Sequence, residues 1–246
     1  MCMSLTSNKL VKHLRTFVNY FLDSFHLIFP DNCLACGGHL RYSERFLCTA
    51  CLIDLPRVHL LDSEDSALEQ LLVGQIPYER AIAFFYYTKK SKYANVLHAL
   101  KYKGNKQVGI FLGELFARQL QANDFMNDID CIVPVPLHAK RQRARGYNQS
   151  EVLAQGVARI VPCPVCAGAV ERSVNTETQT KKNKEERKQN VANIFTVTNP
   201  QLLQNKHILL LDDVITTGAT TISCAEAILR QVPNVRISVA GIALAQ

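Results

Sequence analysis

Leu209-Leu210-Leu211-Asp212-Asp213-Val214-Ile215-Thr216-Thr217-Gly218-Ala219-Thr220-Thr221 is the stretch that decides how this 246-residue chain folds. Its apolar triplet has the character of a strand buried on both faces, as in a parallel sheet covered by helices. Two acids stand at the carboxyl end, and a Thr-rich turn with one Gly opens a helical pattern through Glu226 and Leu229. In open α/β sheets ligands bind beyond the carboxyl ends of strands, and the free N–H groups of a helix N-terminus attract phosphate. Adjacent carboxylates suit a pair of sugar hydroxyls or a cation, while Thr hydroxyls and turn amides suit a terminal phosphate. Ribose 5-phosphate fits both halves. A capped helix after any buried strand would explain one acid and one Thr, but not the whole run.

The run resembles the phosphoribosyl pyrophosphate (PRPP) motif of type I phosphoribosyltransferases. That resemblance implies that Asp212 and Asp213 face the ribose 2′ and 3′ hydroxyls. It also implies that Thr216, Thr217, Gly218, Ala219 and Thr220 wrap the 5′-phosphate, with Mg²⁺ accompanying PRPP.

Upstream, strands are expected at 81–87, 129–134, 169–174 and 194–197, alternating with helices at 91–102, 108–120, 148–160 and 184–190. A helix from Gly218 and a last strand at 235–244 follow 208–212. This alternation predicts an α/β fold with a parallel sheet flanked by helices. Cys131-Ile132-Val133-Pro134-Val135-Pro136-Leu137 is a strand running into prolines, which force an extended turn. Val135, Pro136 and Leu137 resemble the pyrophosphate loop of the same enzymes in position.

Next comes a basic loop from His138 to Ser150. Here Lys140, Arg141, Arg143 and Arg145 supply phosphate donors and Tyr147 a stacking ring for single-stranded nucleic acid. Residues 179–195 occupy the place of a mobile hood over PRPP in amidophosphoribosyltransferases, and Gln179, Arg187 and Asn190-Val191 resemble its fixed points.

Nine cysteines include Cys33-Leu34-Ala35-Cys36 and Cys48-Thr49-Ala50-Cys51. Two such turns close a tetrahedral four-sulfur shell around Zn²⁺, and four thiolates leave no open position for chemistry, so the metal is structural. Cys163 and Cys166 have no partner pair and are assigned no metal. An odd cysteine total on a nucleotide-handling fold points to a reducing, cytoplasmic compartment.

Lys plus Arg total 28 against 21 Asp plus Glu, a net charge of +7 that favours anionic partners. The apolar positions between Leu10 and Phe25 have helical spacing, predicting an amphipathic helix over 1–29 that docks on a domain or a membrane surface. Asn19, Asp23 and His26 interrupt it, so no membrane span is expected. The domain plan is therefore a helix at 1–29, a four-cysteine zinc finger at 30–60, an acidic linker at 61–80 and the phosphoribosyltransferase-like domain at 81–246.

The zinc knuckle, Leu100-Lys101-Tyr102-Lys103-Gly104, Pro134-Val135-Pro136-Leu137, Arg145-Gly146-Tyr147-Asn148-Gln149 and the 209–221 run together resemble the ComF family. The resemblance implies a role in natural competence, where imported single-stranded DNA is handled in the cytoplasm alongside partners such as a DNA-translocating helicase. Three functions stand side by side: a competence protein binding PRPP and single-stranded DNA, favoured by the basic clusters; an Mg²⁺-dependent phosphoribosyltransferase acting on a nitrogen acceptor; and a PRPP-sensing regulator without turnover.

Overall fold

The computed structural model describes residues 31–58, 67–102, 104–172 and 194–246. The helices expected at 1–29 and 184–190, and the hood with Arg187, lie outside the described residues. Along the sequence the chain divides into two compact units, the second beginning at Leu55.

In the first unit the chain reverses at the first cysteine pair. Cys33 N–H donates to the Gly38 carbonyl and Gly37 N–H returns to the Cys33 carbonyl, both at 2.8 Å. Gly37 takes a left-handed φ of 75°, which suits a residue without a Cβ. Helix α1 (Thr49–Ile53) follows Cys48. Glu44 straps its start, its carboxylate accepting from Thr49 N–H and hydroxyl at 2.7 Å each and from Arg41 N–H at 2.8 Å. These donors hold the Glu44 carboxyl down at about 2.

The second unit is built on four parallel strands: β1 (Ala81–Tyr87), β2 (Cys131–Pro134), β5 (His207–Ile215) and β6 (Arg236–Ala245), ordered β1-β6-β5-β2. A two-stranded antiparallel ribbon joins β3 (Val170–Arg172) to β4 (Phe195–Val197). Alternation divides the sheet's side chains between two faces. Ala81, Ala83, Cys131, Val133, Ile208, Leu210, Ile237 and Val239 share a core with Leu68 and Leu72 of α2 (Ala67–Leu72) and with Cys224, Ala225 and Ile228 of α7 (Ala219–Gln231). The expected linker at 61–80 thus holds a helix with a buried face.

The crossover from β1 carries α3 (Ala94–Tyr102) and α4 (Lys106–Ala122), and β2 is followed by α5 (Ala139–Arg145) and α6 (Gln149–Ala158). Helices α4 and α6 pack tightly on one another. A Cβ on Gly113 would lie 2.3 Å from the Leu153 carbonyl oxygen, and one on Gly156 the same distance from that of Ile110. Glycine at both positions is what lets the two backbones approach.

Short straps close both edges of the sheet. Leu55–Val58 runs antiparallel to β1, with Val58 N–H on the Phe84 carbonyl at 3.1 Å and Tyr86 N–H on the Pro56 carbonyl at 2.8 Å. On the far side Val165 bridges Ile132 in parallel, Ile132 N–H donating to the Pro164 carbonyl at 2.9 Å and Cys166 N–H to the Ile132 carbonyl at 2.8 Å.

His207 opens β5 at the sheet's amino end. Its Nδ1 lies 2.9 Å from Asp128 Oδ2 and its Nε2 2.9 Å from Ser238 Oγ. This Asp–His–Ser order copies a hydrolytic triad, yet Ser238 and the His207 side chain have no exposed surface, so the relay is a structural pin.

Candidate functional site

Strand β2 ends where β5 continues. Pro134 pairs with Leu211, Val135 N–H donates to the Leu211 carbonyl at 2.9 Å, and the chain then turns away at Pro136. From Asp212 onward β5 has lost this neighbour, and a cavity of about 230 Å³ opens there. Its walls are Val135, Pro136 and Leu137 from the turn; Asn148, Gln149 and Ser150 at the start of α6; and Asp212, Asp213, Val214, Thr216 and Thr220. Lys101, Arg141, Arg145 and Arg172 add four cations to the two acids.

The two acids play different parts. Asp212 is buried and accepts from Ser150 Oγ at 3.2 Å, Thr221 Oγ1 at 3.1 Å and Asp213 N–H at 2.8 Å. Burial and then the neighbouring Asp213 charge push its carboxyl up to about 7, against these three donors. Asp213 is partly exposed and pairs with Lys101 Nζ at 3.3 Å. Arg172 has a buried Nε without a hydrogen-bond partner and lies over the Phe195 ring, 5.3 Å from its centroid. Burial, then the Arg141 charge, pulls it below the usual guanidinium range, while Asp212 opposes that pull.

Gly218 caps α7 in the left-handed region at φ 73°, and no side chain caps the helix. Its first N–H groups are thus available to an anion beside Thr216 and Thr220. Thr217 and Ala219 are exposed outside the cavity wall, and Gly218 is buried.

The expected basic loop is instead helix α5. His138 Nδ1 accepts from Lys140 N–H at 3.2 Å, and Gly146, left-handed at φ 79°, closes the other end with its N–H on the Gln142 carbonyl at 2.7 Å. Helical spacing puts Arg141 and Arg145 together on the cavity side, whereas Lys140 and Arg143 are exposed and outside it. Tyr147 corrects the expectation of an open stacking ring. It is 6% exposed, its hydroxyl donates to the Leu100 carbonyl, and burial raises its pKa. Asn148 caps α6 through Ser150 N–H at 3.2 Å and donates Nδ2 to the Val135 carbonyl at 3.1 Å, tying the turn after β2 to the helix.

A family model described as "Phosphoribosyl transferase domain" matches residues 148–243, from the α6 cap to β6. The chain is also 30% identical to the DNA utilization protein YhgH of Salmonella typhimurium over 215 residues, 83% of this chain and 93% of that one. The chain belongs to the ComF family. Its ComF relatives include Competence protein F of Haemophilus influenzae, 25% identical over 228 residues, 88% of this chain and 98% of the relative. Competence protein ComFC of Bacillus subtilis is 35% identical over 100 residues, 41% of this chain and 38% of the relative.

This ComF chain also holds a four-cysteine centre. The Sγ atoms of Cys33, Cys36, Cys48 and Cys51 all lie within 4.8 Å of one another, and Cys36 and Cys48 are 3.8 Å apart. Tetrahedral Zn–S bonds of about 2.3 Å place ligand sulfurs about 3.8 Å apart, so the donor set fits Zn²⁺. Burial opposes a thiolate at Cys33, but N–H groups of Cys36, Cys48 and Ala35 outweigh it and bring the thiol down to about 6. Burial, with hydrogen bonds to the neighbouring thiols, pushes Cys51 up to about 12. Four sulfurs this close resist full ionisation until a cation joins them. No helix among the described residues is long and apolar enough to cross a membrane.

Proposed function

We propose that this protein acts in DNA uptake or utilization in the cytoplasm, binding PRPP at the carboxyl edge of its sheet and single-stranded DNA beside it. The observation that carries the reading is the cavity, where two acids, four cations and a helix start that no side chain caps converge at the break between β2 and β5. Asp212 and Asp213 suit the ribose hydroxyls. Thr216, Thr220 and the α7 N–H groups suit the 5′-phosphate, and Arg141, Arg145 and Arg172 suit pyrophosphate oxygens. The acids also suit Mg²⁺, which would neutralise pyrophosphate charge; Asp212 is raised first by burial and then by repulsion from Asp213, and a cation relieves the second. The names of the relatives support the DNA role. Zn²⁺ on Cys33, Cys36, Cys48 and Cys51 holds the first unit together.

Salt-dependent binding of single-stranded DNA, measured with and without Mg²⁺–PRPP, tests the reading. Lys140 and Arg143 changed together to Ala should lower the salt slope by about 1.4 units, at about 0.7 per lost phosphate contact. Arg141→Ala with Arg145→Ala should reduce PRPP affinity in calorimetry. PRPP binding unchanged by that pair and by Asp212→Ala with Asp213→Ala would overturn the cavity assignment. Pyrophosphate release with a nitrogen acceptor would instead favour the transferase.

A further inference from the structure

Burying Tyr147 removes the stacking ring that the sequence suggests, but the structure offers another. Tyr102, the last residue of α3, keeps 64% of its surface exposed. It follows Lys101, which reaches the cavity and pairs with Asp213. One turn back, His98 sets its ring against Tyr102 with centroids 4.7 Å apart and planes at 37°. From the other element, Arg145 brings its guanidinium carbon to 5.4 Å from the Tyr102 centroid while also lining the cavity. Three flat groups therefore meet beside the cavity, and Arg145 belongs to both the group and the cavity wall. A buried Tyr serves packing; this one is held by an imidazole and a guanidinium and left open to solvent.

We propose that His98, Tyr102 and Arg145 form a base-stacking platform that takes one nucleobase of single-stranded DNA at the mouth of the cavity; the proposal rests on the DNA-binding reading above. An open platform reads the face of a base and not its hydrogen-bonding edge, so it is tolerant of sequence. It has little hold on a free base, and affinity must come from backbone phosphates. Lys140 and Arg143, on the helix that carries Arg145, supply the charge. The strand would run along α5 with one base turned onto Tyr102.

The chain has no Trp, so Tyr102→Trp installs a single reporter. An oligothymidylate should quench its emission on binding. The same strand made abasic should bind with the same salt slope and leave the emission unchanged. In the otherwise natural protein, Tyr102→Ala should weaken oligothymidylate binding about tenfold, the scale of one lost stack, with no change in slope, and Tyr102→Phe should restore it. Binding of the strand with no quenching, together with an unaffected Tyr102→Ala variant, would refute the platform while leaving the DNA reading in place. Failure of the natural protein to bind any strand would overturn both. Quenching by free thymine and not by the strand would assign the platform to a small acceptor and overturn the strand.

Discussion

Replacing Asp212 by Asn should stabilise the ligand-free protein, and by an amount that depends on pH. The folded protein holds the Asp212 carboxyl up at about 7 because it is buried next to Asp213. In the unfolded chain it returns to an ordinary value of about 4, and each pH unit of that gap is worth about 1.4 kcal/mol. Between pH 4 and pH 7 the folded protein retains a proton that the unfolded chain has released. Stability therefore falls as pH rises through this window, and the loss is complete above pH 7, at about 4 kcal/mol.

Asn has no proton to lose. Its Oδ1 still accepts from Ser150 and Asp213 N–H, and its Nδ2 faces the Thr221 hydroxyl, which can turn to accept. The variant should match the parent near pH 4, exceed it increasingly as pH rises, and lead by about 4 kcal/mol at pH 8. Urea titrations of both proteins across that range measure the difference directly, since every other ionisable group is common to the two. The variant should also lose affinity for Mg²⁺–PRPP, because on the proposed reading the charge that costs stability is the one that would hold the ligand. A difference that is flat with pH, or a parent more stable at pH 8, would refute the reasoning.

Elemental analysis should find about one Zn²⁺ per chain, and Cys36→Ser with Cys51→Ser should abolish it while the helical circular dichroism of the second unit survives; a metal-free natural protein equally resistant to protease would contradict this. Gly156→Ala sets a methyl against the Ile110 carbonyl and should cost about 3 kcal/mol, lowering the melting temperature by about 10 °C. An unchanged melting curve would mean that α4 and α6 slide apart freely. His207→Ala strips Asp128 and Ser238 of a shared partner and should destabilise by about 1–3 kcal/mol in urea without affecting PRPP binding; a loss of binding with no loss of stability would make the pin part of the site.

The strand, turn and helix around Asp212 were legible because every signal there is local: an apolar run, two acids and a Gly that adopts the left-handed region. The cysteine pairs were legible for the same reason, since ligand spacing is written along the chain. What escaped depends on distant contacts. Helix α5 has no apolar stripe to announce it, and it is fixed by its two end caps. Tyr147 sits in a run of charges that advertises exposure, but its hydroxyl is claimed by Leu100, 47 residues away. Lys101 reaches Asp213 from another crossover, and Ser150 reaches Asp212 across 62 residues. Arg172, the only charge of β3 turned to the cavity among the described residues, had only its place just before the hood to mark it.

The straps on the two sheet edges bear on how the protein can be cut. An open parallel sheet ends in rows of unpaired N–H and C=O groups, which invite a second molecule to add a strand. Here Leu55–Val58 and the Pro164–Cys166 segment occupy those rows, and each contains a proline that has no N–H to offer an incoming chain. A truncation placed at residue 60 would look safe by composition, yet it would bare the outer edge of β1 and yield a product prone to polymerise. Beginning at Leu55 keeps that edge sealed, so the four residues of the Leu55–Val58 strap separate a covered sheet edge from an open one.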